Sequence, residues 1–467
     1  MTQGTALKNN SLYGKHVVVM GLGNFGGGVG VSRWLCAQGA QVTVTDSQTH
    51  AELQGALEKI KDLPVRVVPG GHPFSLLDSC DLLVVNPAVN KAKSDFYMEA
   101  ARRKIAISTE INLLLERCPA TIVGVTGSVG KSTTTAMIHT VLAAIYDKSG
   151  RGKCWMGGNI GRSLLADLEK MASGDLVVLE LSSFMLEDTP LLEYSPHVAV
   201  VTNLVGNHLD RHGTLEDYAQ AKRNILRFQK PDDFAILNSD DPVVAGWGNL
   251  TAGKTLFYGL KDRPPLELGV PGRHNQSNAQ AALAVVGALG LSGEMPVALA
   301  ALRGFHGLPH RLELVHSVQL NHGNKTYGVQ WFNDSKATTP ESAITALQAF
   351  APGGFVCIVG GYDKHADMTK FTEQLAARCA GVLGMGDTGP AMVQQVLAHG
   401  RLGKSRCVVA KNLQDAMQTA HEWVRGDSAV RTILLSPGCA SYGLFTNYEQ
   451  RGAVFTELAR AFNPRPA

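Results

Sequence analysis

The segment Thr121-Ile-Val-Gly-Val-Thr-Gly-Ser-Val-Gly-Lys-Ser132 narrows the folds open to this chain more than any other stretch. Its first residues form an apolar run that reads as a buried strand. A glycine-rich turn follows, and Ser132–Tyr146 then shows helical period. A buried strand passing through a tight turn into a helix is the repeating step of an open parallel sheet. Short apolar runs of the same kind recur at His16–Met20, Gln41–Thr45, Leu82–Val85, Leu176–Glu180, Val198–Thr202, Phe355–Val359 and Thr432–Leu435. Longer helical stretches such as Asn278–Leu289 lie between many of them. The alternation predicts an α/β protein with parallel sheets covered by helices on both faces. Glycine supplies 50 of 467 residues, above the usual share of about 7%, as many tight turns require.

At roughly 150 residues per domain the length suggests three domains, and the sequence divides at 1–109, 110–312 and 313–467. A site drawing on all three would lie between domains, a common place for ligand pockets. Hydrophobic residues at 45% and charged residues at 18% exclude a disordered chain. With 43 Lys plus Arg against 40 Asp plus Glu, the net charge of +3 gives no broad basic field, and no nucleic-acid partner is expected. No C-x-x-C pair occurs among the cysteines, which argues against a zinc ribbon or a redox dithiol. Cys357 and Cys407 sit in apolar runs and read as buried, reduced thiols. The polar N-terminus does not read as a signal peptide, and the apolar stretch near Ala281–Leu291 is too short and glycine-interrupted to span a bilayer. A cytoplasmic protein without membrane insertion is expected.

The turn at Gly127, Ser128, Gly130, Lys131, Ser132 and Thr133 suits a nucleoside triphosphate. Its backbone N–H groups and the helix dipole favour phosphate, Lys131 would meet the outer phosphates, and the Ser132 hydroxyl would meet Mg²⁺. The strict G-x-x-x-x-G-K-[ST] pattern needs glycine at position 125, where this chain has Val. Glu180 ends an apolar strand and is either a metal-holding carboxylate or a surface acid. A second turn, Gly21-Leu-Gly-Asn-Phe-Gly26 with Asp46 ending the next strand, fits a dinucleotide-binding fingerprint, for NAD or FAD, or a ligand-free strand–helix turn. His208, Asp210 and His212, at steps of two, would share one face of an extended segment, as metal ligands or as structure. Mg²⁺ with oxygen ligands fits a phosphoryl-transfer site better than zinc. Thr214 can cap the next helix, on which Tyr218 and Lys222 share a face, and from spacing alone Lys222 reads as a solvated lysine.

Taken in order, Thr126–Thr133, Gly157-Gly-Asn-Ile-Gly161, Glu180-Leu-Ser-Ser183, His208-Leu-Asp-Arg-His212, Asn238-Ser-Asp-Asp241, Gly272-Arg-His-Asn275, Gly307-Leu-Pro-His-Arg311 and Asn333-Asp-Ser-Lys-Ala-Thr338 resemble the Mur ligase family, the ATP-dependent amino-acid-adding enzymes of peptidoglycan synthesis. The resemblance spans essentially the full length. It implies a Rossmann-like N-terminal domain, a central P-loop ATPase-like domain and a C-terminal Rossmann-like domain. Gly360-Gly-Tyr-Asp-Lys364, Leu435-Ser-Pro-Gly-Cys-Ala-Ser441 and Phe445-Thr-Asn-Tyr448-Glu favour the D-glutamate-adding branch. The small-molecule substrates implied are UDP-N-acetylmuramoyl-L-alanine and D-glutamate, with ATP and two Mg²⁺ ions; a monomer is expected.

By the same resemblance the first turn holds the UDP substrate and not NAD, through Asn24, Phe25, Asp46, Ser47, Asn86 and Asn159, with Ala88 where glycine is frequent. ATP falls to the Gly127–Thr133 turn and to Asn275, His310, Arg311 and Asp334, while Lys336 contacts the γ-phosphate. Thr338, Lys364, Ser441 and Tyr448 match the D-glutamate pocket. Ser132, Glu180, His208 and a carbamylated Lys222 match metal positions, and Lys131, His208, Lys222 and Lys336 are the catalytic set. Val129, Met185, Asn207 and Tyr448 depart from common family residues. The competing readings are a sister ligase, including a folylpolyglutamate-type enzyme, an NAD-dependent oxidoreductase built on Gly21–Asp46, and a noncatalytic nucleotide sensor.

Overall fold

The strands expected from apolar runs all form, with ends within one residue of their expected positions. The computed structural model describes residues 11–23, 26–322 and 325–462, so the expected substrate contacts Asn24 and Phe25 lie outside the described residues. The first sheet contains β1 (His16–Met20), β2 (Gln41–Asp46), β3 (Arg66–Pro69), β4 (Leu82–Val85) and β5 (Ala106–Ser108), parallel in the order β3-β2-β1-β4-β5. The second contains β6 (Thr121–Thr126), β7 (Cys154–Gly158), β8 (Leu176–Glu180), β9 (Val198–Val201), β10 (Phe234–Asn238) and β11 (Lys254–Tyr258), parallel in the order β11-β10-β9-β6-β8-β7.

The third sheet is parallel apart from one antiparallel pair at its edge. It contains β12 (Glu313–His322), β13 (Lys325–Asn333), β14 (Phe355–Val359), β15 (Gly381–Gly384), β16 (Cys407–Val409) and β17 (Thr432–Leu435), in the order β12-β13-β17-β14-β15-β16. All neighbours pair in parallel except β12 and β13, which are antiparallel. Only two residues separate these strands in the sequence. A parallel pair needs a crossover of a dozen or so residues, so this pair has no parallel option.

Side chains alternate across each sheet. On the first sheet Val17, Val19, Val42, Val44, Leu82 and Val84 join a buried cluster that continues through Val177, Leu179, Ala199 and Val201 of the second. Val18, Met20, Leu83 and Val85 bury the opposite face against Phe96 and Ala100. The third sheet has its own two cores, one around Trp331, Val356, Ile358 and Ile433, the other around Phe355, Cys357, Val359 and Leu434. The chain accordingly forms two compact units. The first runs to Pro264 and includes Ser277–Ala301; the second comprises Pro265–Gln276 and Leu302 onward. Cys357 and Cys407 are buried free thiols, as expected. Among the described residues no helix is long and apolar enough to cross a membrane.

Candidate active site

In the first unit, β6 lies between β9 and β8 and delivers the chain into the Gly127–Gly130 turn at its C-terminal edge. Gly127 has φ 145°, and a Cβ there would stand 1.9 Å from Thr202 Oγ1. No side chain fits, so this glycine is structurally required. The turn is held from β9's side. Ser128 N donates to Asn203 O at 3.0 Å, Val129 N to Asn203 Oδ1 at 2.9 Å, and Ser128 Oγ to Val205 O at 2.8 Å. Gly130, at φ 84°, then opens the Lys131–Ser149 helix without a side-chain cap. The first-turn amides of that helix have no partners within it, and the dipole makes its end positive. Lys131 Nζ donates to Ser128 O at 3.0 Å.

Glu180 ends β8 in register with Val125 and is 2% exposed. Its Oε1 accepts from Asn159 Nδ2 at 2.9 Å, while Oε2 is buried with no hydrogen-bond partner. An orphaned carboxylate oxygen is costly unless a cation or donor completes it. Glu180 is therefore no surface acid, and its free oxygen fits a metal ligand. Asn159, expected near the sugar diphosphate, is placed on this carboxylate.

Lys222 corrects its expected solvation. Thr214 does cap the Leu215–Arg227 helix, accepting from Asp217 N at 3.1 Å, and Tyr218 and Lys222 do share a face. That face is buried, however. Lys222 is 1% exposed, its Nζ donates to Gly127 O at 2.8 Å and lies 4.4 Å from the Tyr218 ring centroid. Burial, helped by the nearby Lys131 charge and opposed by Glu180, lowers its pKa to about 7.

The steps-of-two reading of His208, Asp210 and His212 also fails, because Leu209–His212 is a helical turn. Alternation across an extended segment does not apply there. His212 turns inward, with Nε2 3.0 Å from Ser183 Oγ and its ring stacked on Phe184 at 5.2 Å. His208 is exposed, 5.2 Å from the Phe184 ring, and has a left-handed backbone at φ 54°. Such conformations cost about 1–3 kcal/mol and gather at functional sites.

At the first glycine turn, Asp46 Oδ2 accepts from Leu22 N at 2.8 Å and Gly23 N at 3.2 Å, and Oδ1 accepts from Gln48 N at 2.9 Å. The fingerprint's acid thus organises its own loop and engages amides that a dinucleotide turn would direct at a diphosphate. Asn86 Nδ2 donates to Gly21 O at 3.2 Å from across the loop, and Ser47 is exposed.

The second unit carries two linked groups. Asp334 is 5% exposed, accepting from Leu312 N at 3.2 Å and Ser436 Oγ at 2.8 Å; burial raises its pKa to about 7. Asn275 Nδ2 donates to Pro271 O at 2.6 Å. His310 accepts from Asn333 Nδ2 at 3.0 Å, and its carbonyl accepts from Lys336 N at 3.0 Å, with Arg311 next in the chain. Tyr448 stands edge-on to His310 at 6.0 Å, with Lys336 Nζ 5.6 Å over its ring. Tyr448 therefore touches residues expected at the nucleotide, beyond its expected amino-acid role. Thr338 and Lys364 meet in a pocket of 380 Å³ that Glu341, Asp367 and Lys370 also line. Tyr362 N donates to Ala440 O at 2.9 Å, which brings the Lys364 loop against that of Ser441.

Sequence reasoning missed Arg451. It is 1% exposed, and its guanidinium donates to Ser335 Oγ at 2.9 Å, Ser335 O at 2.8 Å and Cys439 O at 3.1 Å. One buried cation thus braces both the Asp334–Lys336 loop and the Cys439–Ser441 loop. The available signal was its place in line with Phe455 and Ala459 on the buried stripe of one helix.

Three family descriptions match: Mur ligase MurD-like, N-terminal domain over residues 15–108; Mur ligase middle domain over 125–265; and Mur ligase, glutamate ligase domain over 310–439. A UDP-N-acetylmuramoylalanine--D-glutamate ligase of Symbiobacterium thermophilum is 36% identical over 473 residues, covering 93% of this chain and 97% of the relative. The same enzyme of Geotalea uraniireducens is 34% identical over 475 residues, covering 97% and 98%. Among solved structures, UDP-N-acetylmuramate-alanine ligase MurC of Thermotoga maritima shares the fold with a TM-score of 0.58 at 19% identity, over 96% of this chain and 99% of that one.

Proposed function

The chain belongs to the Mur ligase family, and from that premise we propose that it is an ATP-dependent ligase joining D-glutamate to UDP-N-acetylmuramoyl-L-alanine, a cytoplasmic step of peptidoglycan precursor synthesis. The observation that carries this reading is the buried Glu180 Oε2, left without a partner on the strand next to the phosphate turn. The reading keeps the division at 1–109, 110–312 and 313–467 and a monomeric chain.

A carboxylate does not condense with an amine in neutral water, because oxide is a poor leaving group. The acceptor carboxylate attacks the γ-phosphorus of ATP, ADP departs, and an acyl phosphate results. The D-glutamate amine then adds to the carbonyl carbon. The tetrahedral intermediate loses phosphate and the nitrogen loses a proton, leaving an amide. Each step brings anions together, so positioning and charge neutralisation carry most of the catalysis. The amides of the Lys131–Ser149 helix, with Lys131 and Lys336, hold the phosphates. Asn275, His310, Arg311 and Asp334 serve the nucleoside, Asp46, Ser47, Asn86 and Asn159 the UDP substrate, and Thr338, Lys364, Ser441 and Tyr448 the D-glutamate. Ser132, Glu180, His208 and Lys222 form a donor set suited to Mg²⁺. When bound, two such ions would neutralise phosphate charge.

Lys222 fits that set only after modification. With a pKa of about 7 much of its amine is neutral near neutral pH, and only a neutral amine adds to CO₂. The new N–C bond releases a proton and turns a cation into an anion, which suits a metal neighbour. A coupled ADP-release assay with UDP-N-acetylmuramoyl-L-alanine and a panel of D-Glu, L-Glu, L-Ala, L-Lys and diaminopimelate tests the reading. ADP release only with D-Glu is expected. NADH binding without ATP turnover would overturn it.

A further inference from the structure

Arg211 has no part in the chemistry above, yet it is among the most engaged cations in the first unit. It lies in the helical turn that follows His208. Its Nη1 donates to Ala88 O at 3.0 Å and Nη2 donates to Val89 O. The guanidinium carbon sits 5.1 Å from the Phe184 ring centroid. Ala88 and Val89 belong to the loop leaving β4, whose Asn86 is bonded to Gly21 of the first glycine turn. Two residues on, Lys91 Nζ reaches Asp188 Oδ2 at 2.6 Å and Glu187 Oε2 at 3.4 Å, and Arg211 also lies 3.9 Å from Glu187. The Lys91 and Arg211 side chains are 13% and 14% exposed, and those of Asp188 and Glu187 are 4% and 28% exposed.

Two cations and two acids therefore tie the loop after β4 to segments that follow β8 and β9. A network so buried adds little net stability, because desolvation offsets the attraction. Its consequence is geometric. Two carbonyls on successive residues need a rigid, forked donor, which arginine has and lysine lacks. We propose that Arg211 is a positioning residue for the UDP-linked acceptor, setting the loop that carries Asn86 in register with the segment that carries His208. A long acceptor gripped at its nucleotide end by one loop then presents its carboxylate correctly to the other. This inference rests on the reaction proposed above.

The test uses the full-length chain with Arg211→Lys, which keeps the charge, and Lys91→Met, which cuts the neighbouring tie. Arg211→Lys is expected to raise the KM for UDP-N-acetylmuramoyl-L-alanine about tenfold while the KM values for ATP and D-glutamate move less than about twofold. Lys91→Met should give a smaller rise in the same direction. An acceptor KM within about twofold of wild type in both variants, or three KM values rising together, overturns the role. Calorimetric titration of the acceptor without ATP separates the two ideas. A wild type that binds the acceptor but releases no ADP sinks the reaction, and the binding ratio between wild type and Arg211→Lys still decides the role of Arg211.

Discussion

The Lys222 amine is held 2.8 Å from the Gly127 carbonyl with almost no water about it. On the proposed reading, Lys222→Ala loses activity by about 100-fold or more, and added bicarbonate does not restore it. ADP release measures this, and near-normal turnover would reject the role. Asp334 gives a prediction about stability. Its carboxyl ionises near pH 4 in an unfolded chain but at about 7 in the fold. Between those values the folded state holds the extra proton, so stability falls as pH rises through that window. Asp334→Asn should flatten that slope in urea titrations at about pH 4, 5.5 and 7; an unchanged slope would contradict it. Strand position fixes where the Glu180 carboxylate emerges but leaves a metal ligand and a surface acid equally open; only its burial decides between them. The family resemblance marks Lys222, but spacing alone hides its burial, because the carbonyl its amine meets lies 95 residues away along the chain.

At the scale of elements, the phosphate turn is the least tolerant piece. Gly127→Ala forces a Cβ to within 1.9 Å of Thr202 Oγ1 at φ 145°. A loss of about 1–3 kcal/mol is expected in denaturant melts, together with lost ATP binding by calorimetry. Tyr448 separates ring from hydroxyl. Its ring carries Lys336 and meets His310, so Tyr448→Phe should keep turnover within about twofold while Tyr448→Leu loses about tenfold. Equal losses in both variants would show that the hydroxyl, and not the ring, matters. Strands buried on both faces announce themselves as continuous apolar runs. The β12–β13 hairpin escaped notice because His316-Ser-Val-Gln-Leu-Asn alternates polar with apolar residues and carries no such run. The segment after His208 looks extended in sequence because polar residues at steps of two do not by themselves reveal a helical turn.

Three sheets form only two compact units, since one apolar cluster runs from Val17 through Val201 to Trp247. Three blocks were readable from the glycine turns, but the merging of two cores depends on packing that no local pattern reports. Ile433→Ala, in the third sheet, is expected to cost about 2–5 kcal/mol and to lower one calorimetric transition, leaving the other in place. Both transitions moving equally would show a single cooperative body.

Cys357 lies on β14, flanked on either side by β17 and β15, and has no exposed surface. A thiol reagent mixed with the native protein therefore has nothing to attack at this position until these strands part. Labelling of Cys357 then serves as a stopwatch, counting spontaneous openings of the third sheet in plain buffer, with neither heat nor denaturant to provoke them.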